Sequence, residues 1–459
     1  MVSQWPASEI KVKKYYQILP EKIYYEISTI SELIRPIIKG FSEDNLKEVI
    51  SIIACHIRRD NGPTPLSMAY INKLVPQGQF YLTGLMNLEV VLRCGQYIPG
   101  QLCYQYDFAS EYQSKYIPIP LDNAKLILRI NTVWEELRNE SSRSMYGHNG
   151  QVKYLRKLTI DPEALQFIER NYTTDTHQFN CAEASVTRIL NGDIFYSVDN
   201  TSERFHSNVT NIDKDLRPFL RINGEKLVNA DIKNSQPYLS TIILTNPGKV
   251  SWLTNNPAFA LLLQTLQVSL NQDVKKYISL VISGQLYEFL MDEFRKDQLA
   301  LSRIETKKQV LRILFARNRM PKDELNRKAR QTFIKNFPTV HRIFSKVRGH
   351  EQGNKFNNYK RFAILLQKIE SYLMLDVILK RIYKDMPGVI AVTIHDSIMT
   401  GILTNNVEAV RKIMTEELTF FIGFPPKIEI EGVLEKIEKK KSKSKSINHY
   451  VITNSLSLN

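Results

Sequence analysis

Apolar positions change their spacing along this chain, and the changes mark its predicted elements. In Glu21–Lys39 and Glu43–Arg58 they recur every three or four residues, which predicts two amphipathic helices. Ser42 stands as N-cap of the second, with Glu43 and Asp44 in an acidic first turn. After Asn61-Gly62-Pro63 the helical spacing returns through Leu74, and again near Tyr81–Met86. Leu88–Arg93 and Gln101–Phe108 then read as strands around Gly95-Gln96-Tyr97-Ile98-Pro99-Gly100. Helices followed by a β-hairpin is the order of a winged helix, and also of an ordinary α+β scaffold.

Residues 121–200 read as mostly helical. Leu121–Glu140 carries apolar residues at Leu126, Ile127, Ile130, Val133, Trp134 and Leu137, and Asp161-Pro162-Glu163 starts a helix running to Asn171. Between them Ser141–Gly150 is polar and predicts a flexible linker, followed by the basic Lys153-Tyr154-Leu155-Arg156-Lys157, which predicts a helical element gripping a nucleic-acid strand; a solvated loop would read the same. Residues 251–384 are long, basic and helical, and their last helix, Lys360–Lys384, carries Gln367 and Glu370.

Two short runs break this pattern. Gly388–Ile394 and Ile398–Leu403 are apolar and β-branched, bounded by Pro387-Gly388 and Thr404-Asn405-Asn406, and predict a buried hairpin with His395-Asp396 at its corner. An ionised carboxylate beside so apolar a hairpin is costly unless a cation or hydrogen bonds neutralise it. A second run, Lys226–Ala230, ends in Asp231; Ser235 then caps a helix starting at Gln236-Pro237. Pro425–Gly432 alternates charged and apolar residues and predicts a half-exposed strand beside the hairpin. Two strand-end aspartates, distant in sequence, can meet in space and hold two divalent metals, an arrangement suited to phosphoryl transfer.

On a helix over Ser302–Ala316, Arg303, Lys307 and Phe315 fall on one face about 120° wide. Two cations and an aromatic ring there suit a triphosphate and a base, and the same spacing suits an amphipathic surface helix.

Composition sharpens this picture. The 459 residues, too many for one small core, carry a formal charge of +15, which favours a polyanionic partner; a solvated basic surface would give the same excess. Cys55, Cys94, Cys103 and Cys181 form no Cys-x-x-Cys pair; His177 and Cys181 have ligand spacing but no second pair to complete a zinc site. The cysteines are expected to be reduced core thiols. The N-terminus opens no apolar signal core and no run is long enough to span a membrane, so a soluble, cytoplasmic protein is expected.

Taken together, these pieces resemble the polymerase core of family A DNA polymerases and the related single-subunit RNA polymerases, over about residues 200 to 435. Leu227–Tyr238 resembles the first palm motif, Arg303-x3-Lys307-x7-Phe315-Ala316 the fingers motif, and His395-Asp396 the last palm motif. Arg204–Ile212 is similar to the stretch whose Arg touches the primer-template minor groove. The resemblance implies an α+β right-hand fold, with an antiparallel palm sheet and helical fingers after a mostly helical N-terminal region. Its implied divisions are a nucleic-acid-binding, winged-helix-like region at 1–120, a helical thumb-like or linker region at 121–200, and palm at 201–250 and 385–435. Fingers occupy 251–384 and a basic tail 436–459.

It also implies the chemistry. Asp231, the Ile232 carbonyl and Asp396 would hold two Mg²⁺ ions, with Mn²⁺ as a substitute. Lys307 would neutralise phosphates and protonate the leaving pyrophosphate, Arg303 would clamp the triphosphate and Phe315 would stack near the templating pair. Gln236 and Tyr238 would line the nucleotide pocket, while Arg204, His395 and Gln367 would contact nucleic acid. Partners would be a DNA (or RNA) primer-template and nucleoside triphosphates, with no membrane. The compact size is that of phage, plasmid or mobile-element enzymes.

The sequence also departs from the family. Three residues, where DNA polymerases have one, separate Asp231 from Ser235-Gln236, and Tyr238 takes the place of the Glu that screens the sugar 2′ position. Ser397 after His-Asp resembles the RNA enzymes, Leu311 stands where an aromatic often sits, and Ala316 replaces the usual Gly. No Asp-x-Glu proofreading cluster is visible, so no 3′–5′ exonuclease is expected. A primer-extending DNA polymerase is the first expectation. An RNA polymerase or primase is the second, and a silent nucleic-acid-binding initiator with a polymerase fold is the third.

Overall fold

The computed structural model describes residues 15–55, 63–95, 103–139, 145–174, 176–199, 201–349, 360–402 and 406–431. The proposed basic tail and the tip of the Gly95–Gly100 turn lie outside them. The chain divides into two compact units, the first comprising 1–142, 155–197 and 207–224, the second 143–154, 198–206 and 225–459.

The first unit builds its core on amphipathic helices at Glu21–Ile34 and Glu43–Cys55, whose Ile23, Ile27, Ile30, Leu46, Val49 and Ile53 are buried together. Helices Met68–Leu74 and Gly78–Asn87 follow. Strands Val91–Cys94 and Gln105–Phe108 pair antiparallel, and Thr64–Pro65 adds to the second of them. Helix, short strand, two helices and hairpin thus succeed one another. Tyr15–Pro20 pairs with Tyr116–Leu121, so Leu121 ends a strand and the expected helix begins only at Ala124. Cys94, Cys103 and Cys181 are half-buried thiols, short of the core position expected for them. Among the described residues no helix is long and apolar enough to cross a membrane.

The second unit is organised on an antiparallel sheet in the order Ala391–Ile394, Ser397–Gly401, Glu225–Ile232, Ile428–Glu431. Both hairpin strands are buried throughout, as their β-branched runs predict. The alternating strand Ile428–Glu431 does not sit beside the hairpin as expected. The inner hairpin strand already lies between two neighbours, so Ile428–Glu431 pairs with the far edge of the Asp231 strand.

The expected linker is also corrected. Residues 145–155 form a helix whose Gly150 faces the Tyr383 ring so closely that a Cβ there would collide with it. That glycine serves close packing, not flexibility. Tyr383 in turn donates to the Ala391 carbonyl (2.5 Å), and the Gln151 side chain accepts from the Thr393 amide (3.1 Å), so this helix braces the hairpin strand.

Candidate active site

The site begins with strand register. Asp231 is the direct partner of Ser397, and the Ile232 amide donates to the Asp396 carbonyl (3.4 Å). Because Ile232 and Asp396 face each other through backbone hydrogen bonds, Asp231 and Ser397 form the alternate pair, whose side chains approach closely on one face. Asp231 and Asp396 therefore lie at the same end of neighbouring strands, one register position apart. His395 takes a positive φ (53°) while Asp396 does not, the pattern of a two-residue corner that usually has Gly first. A histidine held there costs on the order of 1 kcal/mol. Its ring meets His206 edge-on at 5.6 Å, and burial, with Arg204 beside it, lowers the His206 pKa against the pull of Asp199.

Burial raises the Asp396 carboxyl above its usual range, although the Ser235 hydroxyl and the charges of Lys307 and Arg204 all favour ionisation. Among the described residues no group of three or more His, Cys, Asp or Glu forms a metal cage. Mg²⁺ needs none, since it commonly takes one or two carboxylates and completes its shell with water and substrate phosphates. Asp231, Asp396 and the Ile232 carbonyl are hard oxygen donors of that kind, so the residues fit the ion.

The helix Arg303–Phe315 forms where its periodicity places it, with Ser302 as N-cap and Glu305 closing a capping box. Lys307 is exposed and acts electrostatically on Asp396. Arg303 is exposed and bonded to Glu288 (2.7 Å), with its guanidinium 5.6 Å from the Tyr287 ring. Burial opposes ionisation of Glu288, yet the hydrogen bond and charge of Arg303 hold its pKa below the usual range. An exposed pair of this kind is weak, so Glu288 does not withhold Arg303 from a phosphate. Phe315, half-buried, ends the helix. Arg348, fully buried, donates to the Ile313 and Leu314 carbonyls, and Arg330 to those of Arg317, Asn318 and Arg319, fixing the chain on either side of Phe315. Burial, with the charge of Arg330 beside it, pushes Arg348 down to about 9.

Tyr238 is placed differently from expectation, and Arg204 has a partner within the chain. Tyr238 does not line a pocket: it is 1% exposed inside the helix Ser235–Thr245, and its hydroxyl donates to the Phe424 carbonyl (2.7 Å). The turn Lys233-Asn234, with Asn234 at φ 55°, starts the helix so that its fourth residue points inward. Arg204 is not directed only at a ligand; its Nε (2.8 Å) and Nη2 (2.7 Å) both donate to Glu370 Oε1.

Glu370, on the helix Arg361–Ser371, is the site residue that sequence reasoning passed over. It is 2% exposed and accepts the Gln236 amide at 2.6 Å. Burial, then the charge of Asp396, pushes its carboxyl up to about 7 against Arg204 and Gln236. Gln367, one turn earlier, is half-buried. The available signal was a carboxylate set among Leu365, Leu366, Ile369 and Leu373, all buried. Lone charges on apolar helix faces need partners. A π-helical stretch, Tyr372–Ile378, follows at once, a feature frequent near functional sites.

No family model matches this chain, and no curated protein matches it. Among solved structures it is similar to the POL domain of Pol1 from M. smegmatis, in complex with DNA primer-template and dNTP, at 12% identity and a TM-score of 0.28. The match covers 59% of this chain and 55% of that domain, and a likeness of this size decides neither fold nor activity.

Proposed function

We propose that the second unit is a template-directed nucleotidyltransferase, in the first instance a DNA polymerase that extends a primer 3′ end and has no proofreading exonuclease. One observation supports the reading: the register of an antiparallel sheet puts Asp231 and Asp396 at the same end of neighbouring strands, with Lys307 in electrostatic reach of the second. Asp231, Asp396 and the Ile232 carbonyl would hold Mg²⁺, which when bound offsets phosphate charge and acidifies the primer hydroxyl. Lys307 neutralises the triphosphate and gives a proton to the departing pyrophosphate, and Arg303 clamps the phosphates. Phe315 stacks near the templating pair, while Arg204, Gln367 and His395 contact the primer-template. The helix and hairpin elements of residues 43–108 would add affinity for nucleic acid.

Ribonucleotide addition is the second reading. Burial of Tyr238 removes the steric ground for rejecting a 2′ hydroxyl, and Ser397 follows His395-Asp396 as in the RNA enzymes. Primer extension with dNTPs and NTPs in parallel separates the two. Extension with neither, under Mg²⁺ or Mn²⁺, would refute both.

A further inference from the structure

The stretch Ser202–Arg204 is fastened to the helix Arg361–Ser371 at three points. Ser371 donates to the Ser202 carbonyl (3.0 Å), Lys368 pairs with Glu203 (2.8 Å), and Arg204 donates twice to one oxygen of Glu370. The other Glu370 oxygen takes the Gln236 amide at 2.6 Å and lies 3.5 Å from the Ser235 hydroxyl. A pair needed only for stability gains little over apolar packing. This one instead holds an arginine that stays 21% exposed and spends only its Nε–Nη2 edge on Glu370.

We propose that Glu370 is the positioning residue of this site: its single carboxylate fixes the guanidinium of Arg204 and the amide of Gln236 together. The proposal rests on the nucleotidyl-transfer reading. Arg204 then grips the primer-template in one orientation because Glu370 leaves it no other. Gln236 is oriented in the same way, its Nε2 spent on Glu370 and its Oε1 turned away.

The test is a double-mutant cycle on the full chain with E370Q, R204A and the double variant. Anisotropy of a labelled DNA primer-template reads binding, and single-turnover extension reads rate. R204A is expected to lose about tenfold or more in extension, E370Q a comparable factor, and the double variant no more than R204A alone within about threefold. The nucleotide KM stays within about threefold of wild type in E370Q, a split that general loosening of the fold would not give. Multiplying losses, or an E370Q that extends like wild type, overturn the proposal. Should E370Q not fold, R204K decides: it keeps the charge but not the fork, so it should behave as R204A, and wild-type behaviour overturns the idea. A wild type that binds primer-template but adds no nucleotide sinks the nucleotidyl-transfer reading, and the same cycle is then judged on binding. A wild type that binds no primer-template sinks the positioning role as well.

Discussion

Replacing Tyr238 separates its packing from any part in sugar selection. Its ring is 1% exposed and its hydroxyl donates to the Phe424 carbonyl at 2.7 Å. Burial pushes the phenol pKa up, so it stays a donor at any working pH. Tyr238→Phe removes one buried hydrogen bond and leaves that carbonyl unpaired, a loss of about 1–2 kcal/mol. For a unit of this size that corresponds to about 3–6 °C in the melting temperature. Tyr238→Ala also opens a ring-sized cavity and costs about 3–5 kcal/mol, enough to threaten folding. Calorimetry measures the first effect, and the ratio of kcat/KM for dATP and ATP on one primer-template measures the second. The ratio should stay within about twofold in Tyr238→Phe. A Tyr238→Phe protein as stable as wild type, or a folded Tyr238→Ala protein whose ratio moves about tenfold, would put the side chain in the nucleotide pocket after all.

Other expectations concern charge and packing. Lys307→Ala should raise the nucleotide KM and lower the rate about tenfold or more, whereas Lys308→Ala, one position round the helix, should change either by less than about threefold; equal effects would mean diffuse charge suffices. Glu370 gives stability a pH dependence. Its folded carboxyl titrates at about 7 against an ordinary 4.5, so the contribution is complete below pH 4.5 and lost as pH rises through about 7. At 1.36 kcal/mol per unit the loss is about 3 kcal/mol, and urea unfolding at pH 5 and pH 8 should show a smaller difference in E370Q than in wild type. An equal difference in the two proteins would assign the dependence to other groups. Gly150→Ala should destabilise by about 1–3 kcal/mol, because its methyl displaces the Tyr383 ring from the Ala391 carbonyl; an unchanged melting temperature would show that the ring yields freely.

Local chemistry made part of this legible in advance. The β-branched runs around His395-Asp396 and the run into Asp231 form the expected strands, and their register puts the two aspartates at the same end of neighbouring strands. The helical spacing over Ser302–Ala316 placed the Lys307 helix, which runs Arg303–Phe315. Side-chain direction was less legible. Nothing local to Tyr238 shows that the turn at Asn234 rotates it inward, nor does Gly150 reveal that a ring 233 residues away lies against it. The Arg204–Glu370 pair spans 166 residues. Its one trace in the sequence is an acid set in an apolar helical face, and that trace does not name a partner.

Magnesium-dependent addition of a single templated nucleotide to a primer, by the wild type and by D396N in parallel, tests the central claim most directly. The account predicts addition by the wild type, loss by about a thousandfold or more in D396N, and primer-template binding within about threefold of wild type in both. Near-wild-type addition by D396N would contradict it.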